Sequence, residues 1–144
     1  MSGVEIREPR DGAELRAAFD LRFTVFCEEQ GVPLELELDE YDADALHLVA
    51  VEDGVVVATC RLLRVGDTVK FGRLVVAQSA RRRGIAAQML EETERRAREM
   101  RARRLVLSAQ TYAVKLYEDA GYAAFGDTYE DAGIEHISME RELV

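Results

Sequence analysis

Two turn dipeptides, Asp53-Gly54 and Gly66-Asp67, cut residues 45–76 into three apolar runs, a spacing that demands an antiparallel meander. Runs 45–52 and 55–65 are rich in β-branched residues, and an Asp-Gly pair between such runs selects a tight hairpin. The third run, 69–76, is irregular. Val69 and Phe71 alternate, Gly72-Arg73 interrupts, and Leu74, Val75 and Val76 are apolar on both faces. An interior glycine with a change of phase predicts a bulge.

Other elements flank this meander. Residues 4–7 suit a short strand. Asp11 and Glu14 have capping-box spacing, and Leu15, Phe19 and Phe23 repeat at helical spacing with Phe26 beyond, predicting a helix over 13–27 and a loop through Gly31 and Pro33. After the meander a helix is expected over 84–100, with Ala86, Leu90, Thr93, Ala97 and Met100 as its buried stripe. Glu91/Arg95, Glu92/Arg96 and Glu94/Arg98 should pair along it, each contributing about 0.2–0.5 kcal/mol. A strand over 105–109, a helix over 113–120 stopped by Gly121, and strands over 122–125 and 134–139 complete an α+β chain.

A chain of 144 residues suits one domain over 1–144, large enough to bury a core without disulfides or metal. No apolar run approaches the roughly 20 residues of a membrane helix, and the charged first dozen residues lack a signal-peptide core, so a cytoplasmic protein without membrane contact is expected. Cys27 and Cys60 have no ligand-like spacing, which argues for a reducing compartment and no metal. The net charge of −9 argues against nucleic-acid binding. From 28 to 44 there are eight carboxylates and no basic residue. That run is either a solvated face or an entrance favouring a cationic amine.

One segment carries chemistry. The strand ending at Val76 leads through Ala77-Gln78-Ser79-Ala80 into Arg81-Arg82-Arg83-Gly84-Ile85-Ala86 at a helix start. A helix N-terminus is already electropositive and has unpaired amide donors, so three arginines there call for an anion. A pyrophosphate would give amides and guanidinium groups a common partner, with Gly84 and Ala86 keeping the turn uncrowded. A solvated basic turn is the other reading.

Arg81-x-x-Gly84-x-Ala86 resembles the Gln/Arg-x-x-Gly-x-Gly/Ala signature of GNAT acetyltransferases. Ala113-x-x-Leu116-Tyr117-Glu118-x-x-Gly121-Tyr122 is similar to the family's second signature, one helix and one strand downstream. Arg22-x-x-Val25-Phe26-x-x-Glu29-Gln30-x-x-Pro33, Asp39-Glu40-x-Asp42, His47 and His136-Ile137-Ser138-Met139 resemble the ElaA/YjcF-type branch. The resemblance implies the GNAT fold, a mixed and mostly antiparallel sheet of about six or seven strands with about four helices. A splayed strand pair in that fold holds acetyl-CoA, the expected cosubstrate. Leu74, Val75 and Val76 would meet the pantetheine and acyl carbonyl, and Arg81, Arg82, Arg83, Gly84, Ile85 and Ala86 the pyrophosphate. Tyr117 would be the general acid. The implied reaction is direct acetyl transfer to a primary amine on a small molecule or peptide, and a homodimer is compatible with it.

Two positions depart from the pattern. The usual asparagine seven residues before the tyrosine is Gln110, a longer amide still suited to the cofactor, and the strand glutamate twelve residues before it is Leu105. The base must then come from Glu28, Glu29, Glu40, His47 or His136, or from water, or not be needed; Glu29 or a histidine is expected to border the acceptor pocket. Cys60 has no recognisable partner as an acyl-carrying nucleophile. A non-catalytic acyl-CoA-binding or regulatory domain is the alternative.

Overall fold

The computed structural model describes residues 3–143. Seven strands form one sheet: β1 (Glu5–Arg7), β2 (Leu46–Glu52), β3 (Val55–Val65), β4 (Thr68–Val76), β5 (Arg104–Gln110), β6 (Ala123–Asp131) and β7 (Ile134–Glu142). Their order is β1-β2-β3-β4-β5-β7-β6. The hairpin turns make β2, β3 and β4 the expected meander. Only β4 and β5 run parallel, because a helix, α3 (Ile85–Glu99), carries the chain back between them. The remaining helices are α1 (Gly12–Arg22), α2 (Leu34–Glu37) and α4 (Val114–Asp119). This is the expected α+β fold.

Helices cover both faces of the central strands. Met89, Leu90, Thr93 and Ala97 of α3 pack into a core with Leu48, Leu62, Val69, Leu105 and Met139. On the opposite face Ala18 of α1 meets Val49 and Val51. The α3 stripe follows Ile85, Met89, Thr93 and Ala97, one residue ahead of the predicted start. Ala86 and Met100, expected in the core, are therefore half-buried. Arg96 and Arg98 take Glu92 and Glu94 as expected, but Arg95 bonds Glu92 and Glu99 instead of Glu91.

Three expectations need correction. The helix predicted over 13–27 is α-helical only to Arg22. It continues as a π-helical turn, Phe23–Glu29, in which the Gln30 N–H reaches the Val25 carbonyl at 3.1 Å. Apolar spacing does not separate the two windings, and π turns concentrate at functional sites. Asp11 caps α1 by accepting from the Glu14 N–H at 2.9 Å, but the Glu14 carboxylate serves Arg7 and the Arg10 N–H, so the box is half closed. Finally, β6 and β7 outrun their predicted ranges. Every β6 residue is exposed, so the strand shows no burial alternation.

The bulge in β4 is present. Arg61 pairs with Gly72 and Thr59 with Val75, so two steps along β3 match three along β4. Arg73 occupies the extra position at φ +55°. Parallel pairing of β4 with β5 ends at Phe71–Leu107, although both strands continue. From there β5 follows β7 through His136 while β4 stays with β3, and the sheet splits.

Candidate active site

The split opens a cavity of about 1090 Å³. Leu74, Val75 and Val76 line it from β4, Gln110 from β5, and Tyr117 from α4. Arg81, Ala86, Glu29 and His136 reach it as well.

Backbone geometry turns β4 toward this space. The Ala77 N–H donates to the Val57 carbonyl at 2.8 Å, and Val76 stands opposite Ala58. In an antiparallel ladder, hydrogen-bonded and non-hydrogen-bonded pairs alternate, so the Val76 peptide groups point away from β3. They face the side from which β5 has diverged. The Val76 carbonyl accepts from Arg81 Nε at 2.9 Å.

At one end of the cleft lies the start of α3. Gly84 is its N-cap residue at φ +79°, a conformation open to glycine and strained for other residues. The first-turn amides of α3 lack intrahelical partners, which makes this end an anion site in waiting. The electrostatic premise for three arginines needs revision, however. Arg81 Nη2 donates to both Glu29 carboxylate oxygens at 2.9 and 3.1 Å, and Arg83 pairs with Glu52 at 3.0 Å. Two of the three guanidinium groups thus have carboxylate partners, and no anion is required to balance them. Arg82, Arg83, Gly84 and Ile85 stand outside the cavity lining, and the Ile85 side chain is core, leaving only its backbone for a ligand.

Tyr117 is buried where the strands begin to part, its ring edge-on to Phe71 at 6.4 Å and to Tyr122 at 6.1 Å. Burial pushes its phenol well above the usual range. Gln110 donates to Gln30 Oε1 at 2.9 Å, tying the end of the π-helical turn to β5.

The base candidates separate. His136 is buried in the lining, opposite Gln110 in register and stacked on Tyr129 at 6.1 Å. Its Nδ1 lies 2.7 Å from the Ile134 carbonyl, which only accepts, so Nδ1 is the donor, and in the neutral ring this leaves the lone pair on Nε2. Glu29 is at the cavity, but Arg81 occupies its oxygens. His47 is not there. Its Nε2 bonds the Asp42 carbonyl at 2.8 Å and its ring packs edge-on to Phe19. Glu28 and Glu40 are exposed and outside the lining. Cys60 is buried beside Thr93, and burial pushes its thiol up to about 12, unsuited to nucleophilic attack.

The acidic run 28–44 divides: Glu28, Glu35, Glu40 and Asp44 are exposed to solvent, while Glu37, Asp39 and Asp42 are held by arginines. Arg22 grips the Glu37 carboxylate at 2.9 Å and Asp42 at 2.7 Å; Arg61 holds Asp39 at 2.6 Å and Asp42 at 2.9 Å. Arg73 reaches Glu37 at 2.8 Å and Asp39 at 3.2 Å. Three arginines neutralise three carboxylates. Burial works against ionisation of Asp42, yet Arg22 and Arg61 hold its carboxyl at about 2. Asp39, Arg61 and Arg73 form one wall of the cavity. Arg61 and Arg73 were missed in the sequence, although a charge inside an apolar strand is a signal that a partner exists.

Residues 14–143 match the GNAT acetyltransferase domain family. The chain is 32% identical over 130 residues to the uncharacterized N-acetyltransferase YjcF of Bacillus subtilis, covering 90% of this chain and 93% of that one. It superposes on the crystal structure of Escherichia coli ElaA with a TM-score of 0.86 at 26% identity, covering 99% of this chain and 100% of the other. An acyl-CoA N-acyltransferase structure from Pseudomonas aeruginosa gives 0.85 at 31% identity, with 98% and 99% covered. With a bulged β4 splayed from β5 and a glycine-started α3, the chain belongs to the GNAT family of N-acetyltransferases.

Proposed function

We propose that residues 1–144 act as one domain that transfers an acetyl group from acetyl-CoA directly to a primary amine. The observation that carries this reading is the cleft itself. A strand edge with the outward-turned Val76 peptide lies between the open first turn of α3 and the buried Tyr117. The donor set fits acetyl-CoA: amides at the start of α3 for its phosphates, strand peptides for its amide-bearing arm, and a narrow apolar end at Phe71 and Leu107.

Acetyl-CoA supplies the activated acyl group as a thioester. The Val76 region of β4 offers a fixed N–H for the oxygen that gains charge as the amine attacks. Tyr117 Oη holds a proton for the leaving sulfur. His136 Nε2 takes the proton from the amine, and Gln110 and Gln30 line the acceptor side. Arg81 stands at the junction of the two halves, bonded to both Glu29 and the Val76 carbonyl.

Calorimetric titration with acetyl-CoA should show micromolar binding that Gly84→Glu abolishes, because the new side chain is strained at φ +79° and sets a carboxylate against the phosphates. No binding by the wild type would sink the assignment. Binding without turnover of any amine would favour an acyl-CoA-binding domain.

His136→Gln should lower kcat/KM by about 10²–10⁴-fold while leaving the Kd for acetyl-CoA nearly unchanged. An unchanged kcat/KM would exclude His136 as the base and return attention to Glu29 or water.

A further inference from the structure

The bulge in β4 poses a problem that the reaction alone does not explain. Its left-handed position is filled by Arg73, at φ +55°, while the neighbouring glycine, Gly72, is not in that region. L-residues avoid this conformation, and such outliers persist only where surrounding structure enforces them. The side chain supplies the enforcement. Arg73 Nε and Nη2 donate to the Glu37 carbonyl at 3.1 and 2.9 Å, and Nη2 reaches the Leu36 carbonyl at 3.3 Å. The same guanidinium meets the carboxylates of Glu37 and Asp39.

The anchor it grips is itself held. Arg22, 1% exposed at the end of α1, binds the Glu37 carboxylate through Nε and Nη2, the Glu37 carbonyl at 3.0 Å, and Asp42. Asp39 and Asp42 close a capping box on the 3-10 turn Glu40–Ala43, which stiffens the segment between them. From β3, Arg61 stands opposite Gly72, the last paired residue before the bulge, and clasps Asp39 through both terminal nitrogens at 2.6 and 2.8 Å. The bulge is thus pinned on both strands to one rigid block, and that block forms a wall of the cavity beside Leu74.

We propose that Arg73 is a positioning residue for acyl transfer: its ties to the 36–39 segment set the angle at which the β4 backbone beyond the bulge meets the acyl group. This rests on the functional reading above. It gives the acidic motif of the sequence a purpose, as the anchor for the strand edge that stabilises charge during the reaction. An N–H misplaced by a fraction of an ångström loses that stabilisation while ordinary binding contacts persist.

Two variants test it. Arg73→Gly removes every tie and suits the left-handed backbone; Arg73→Lys keeps the charge but loses the planar fork. Amide hydrogen exchange at Val75 and Ala77, the ladder-bonded amides beyond the bulge, is expected to accelerate at least about tenfold in Arg73→Gly, and less in Arg73→Lys. In the same order kcat should fall, by about 10- to 100-fold for the glycine variant, with the calorimetric Kd for acetyl-CoA within about threefold. A merely structural role would lower the melting temperature and leave kcat of the folded fraction unchanged. That result, or unchanged exchange at Val75 and Ala77, would overturn the proposal. A wild type that binds no acetyl-CoA would overturn the functional reading and this proposal with it. A wild type that binds and turns over, beside an equally active Arg73→Gly enzyme, would overturn only the positioning role.

Discussion

Replacing Glu37 with leucine is expected to lower the free energy of unfolding by about 3–5 kcal/mol, because it strands a buried guanidinium. Glu37 is 2% exposed and Arg22 1%, so water does not substitute for the lost carboxylate. Leucine keeps the backbone carbonyl that accepts from Arg22 and Arg73 but removes the carboxylate that balances both charges, so Asp42 is left to balance Arg22. For a chain of this size the loss amounts to a fall in Tm on the order of 10 °C. The double variant Arg22→Met/Glu37→Leu should lose less than the sum of its singles, since removing both charges avoids leaving either unpaired. Denaturant unfolding of the four proteins measures this directly. A loss below about 1 kcal/mol for Glu37→Leu, the range of exposed ion pairs, would show that water reaches the cage. The same cage has an acid limit. Asp42 ionises at about 2 in the fold against an ordinary 3.8, so its stabilisation is complete above the ordinary value and is lost as pH falls through the lower one.

The cage also marks where the sequence stops being readable. Hairpins β2–β3 and β3–β4 were legible because each is a local pattern of alternation and a turn dipeptide. The bulge was legible for the same reason, as a glycine and a break of phase in one strand. The partners of the carboxylates were not, because Arg22, Arg61 and Arg73 sit 15 to 36 residues from the groups they hold and come from three different elements. What the sequence offered was an imbalance: eight carboxylates without a cation, and arginines inside apolar strands.

In the cleft the division is similar. The helix-start position of Gly84 and the place of Tyr117 on α4 were readable from compact motifs. His136 and His47 were not distinguishable, since each is a lone strand histidine. Only the β5–β7 register, which places His136 opposite Gln110, and the contact of His47 with the Asp42 carbonyl separate them. The Arg81–Glu29 pair escaped notice because it joins a π-helical turn to a loop 52 residues away.

Tyr117→Phe should lower kcat by about 10²–10⁴-fold while leaving the Kd for acetyl-CoA nearly unchanged. The substitution isolates chemistry from packing. Tyr117 is 8% exposed and meets Phe71 and Tyr122 edge-on, contacts that a phenylalanine ring reproduces, so the melting temperature should hardly move. Burial raises the phenol above its usual range, so Oη stays protonated in the resting enzyme. In the proposed role that proton would go only to a group that becomes strongly basic in the same dry surroundings, as a sulfur parting from its acyl carbon does. Single-turnover kinetics with a responsive amine separate this step from binding and product release. If kcat of Tyr117→Phe stays within about threefold of wild type, the sulfur leaves without a proton from this side chain. Tyr117 is then a packing residue at the point where β4 and β5 diverge, and catalysis rests on the β4 amides and the base alone.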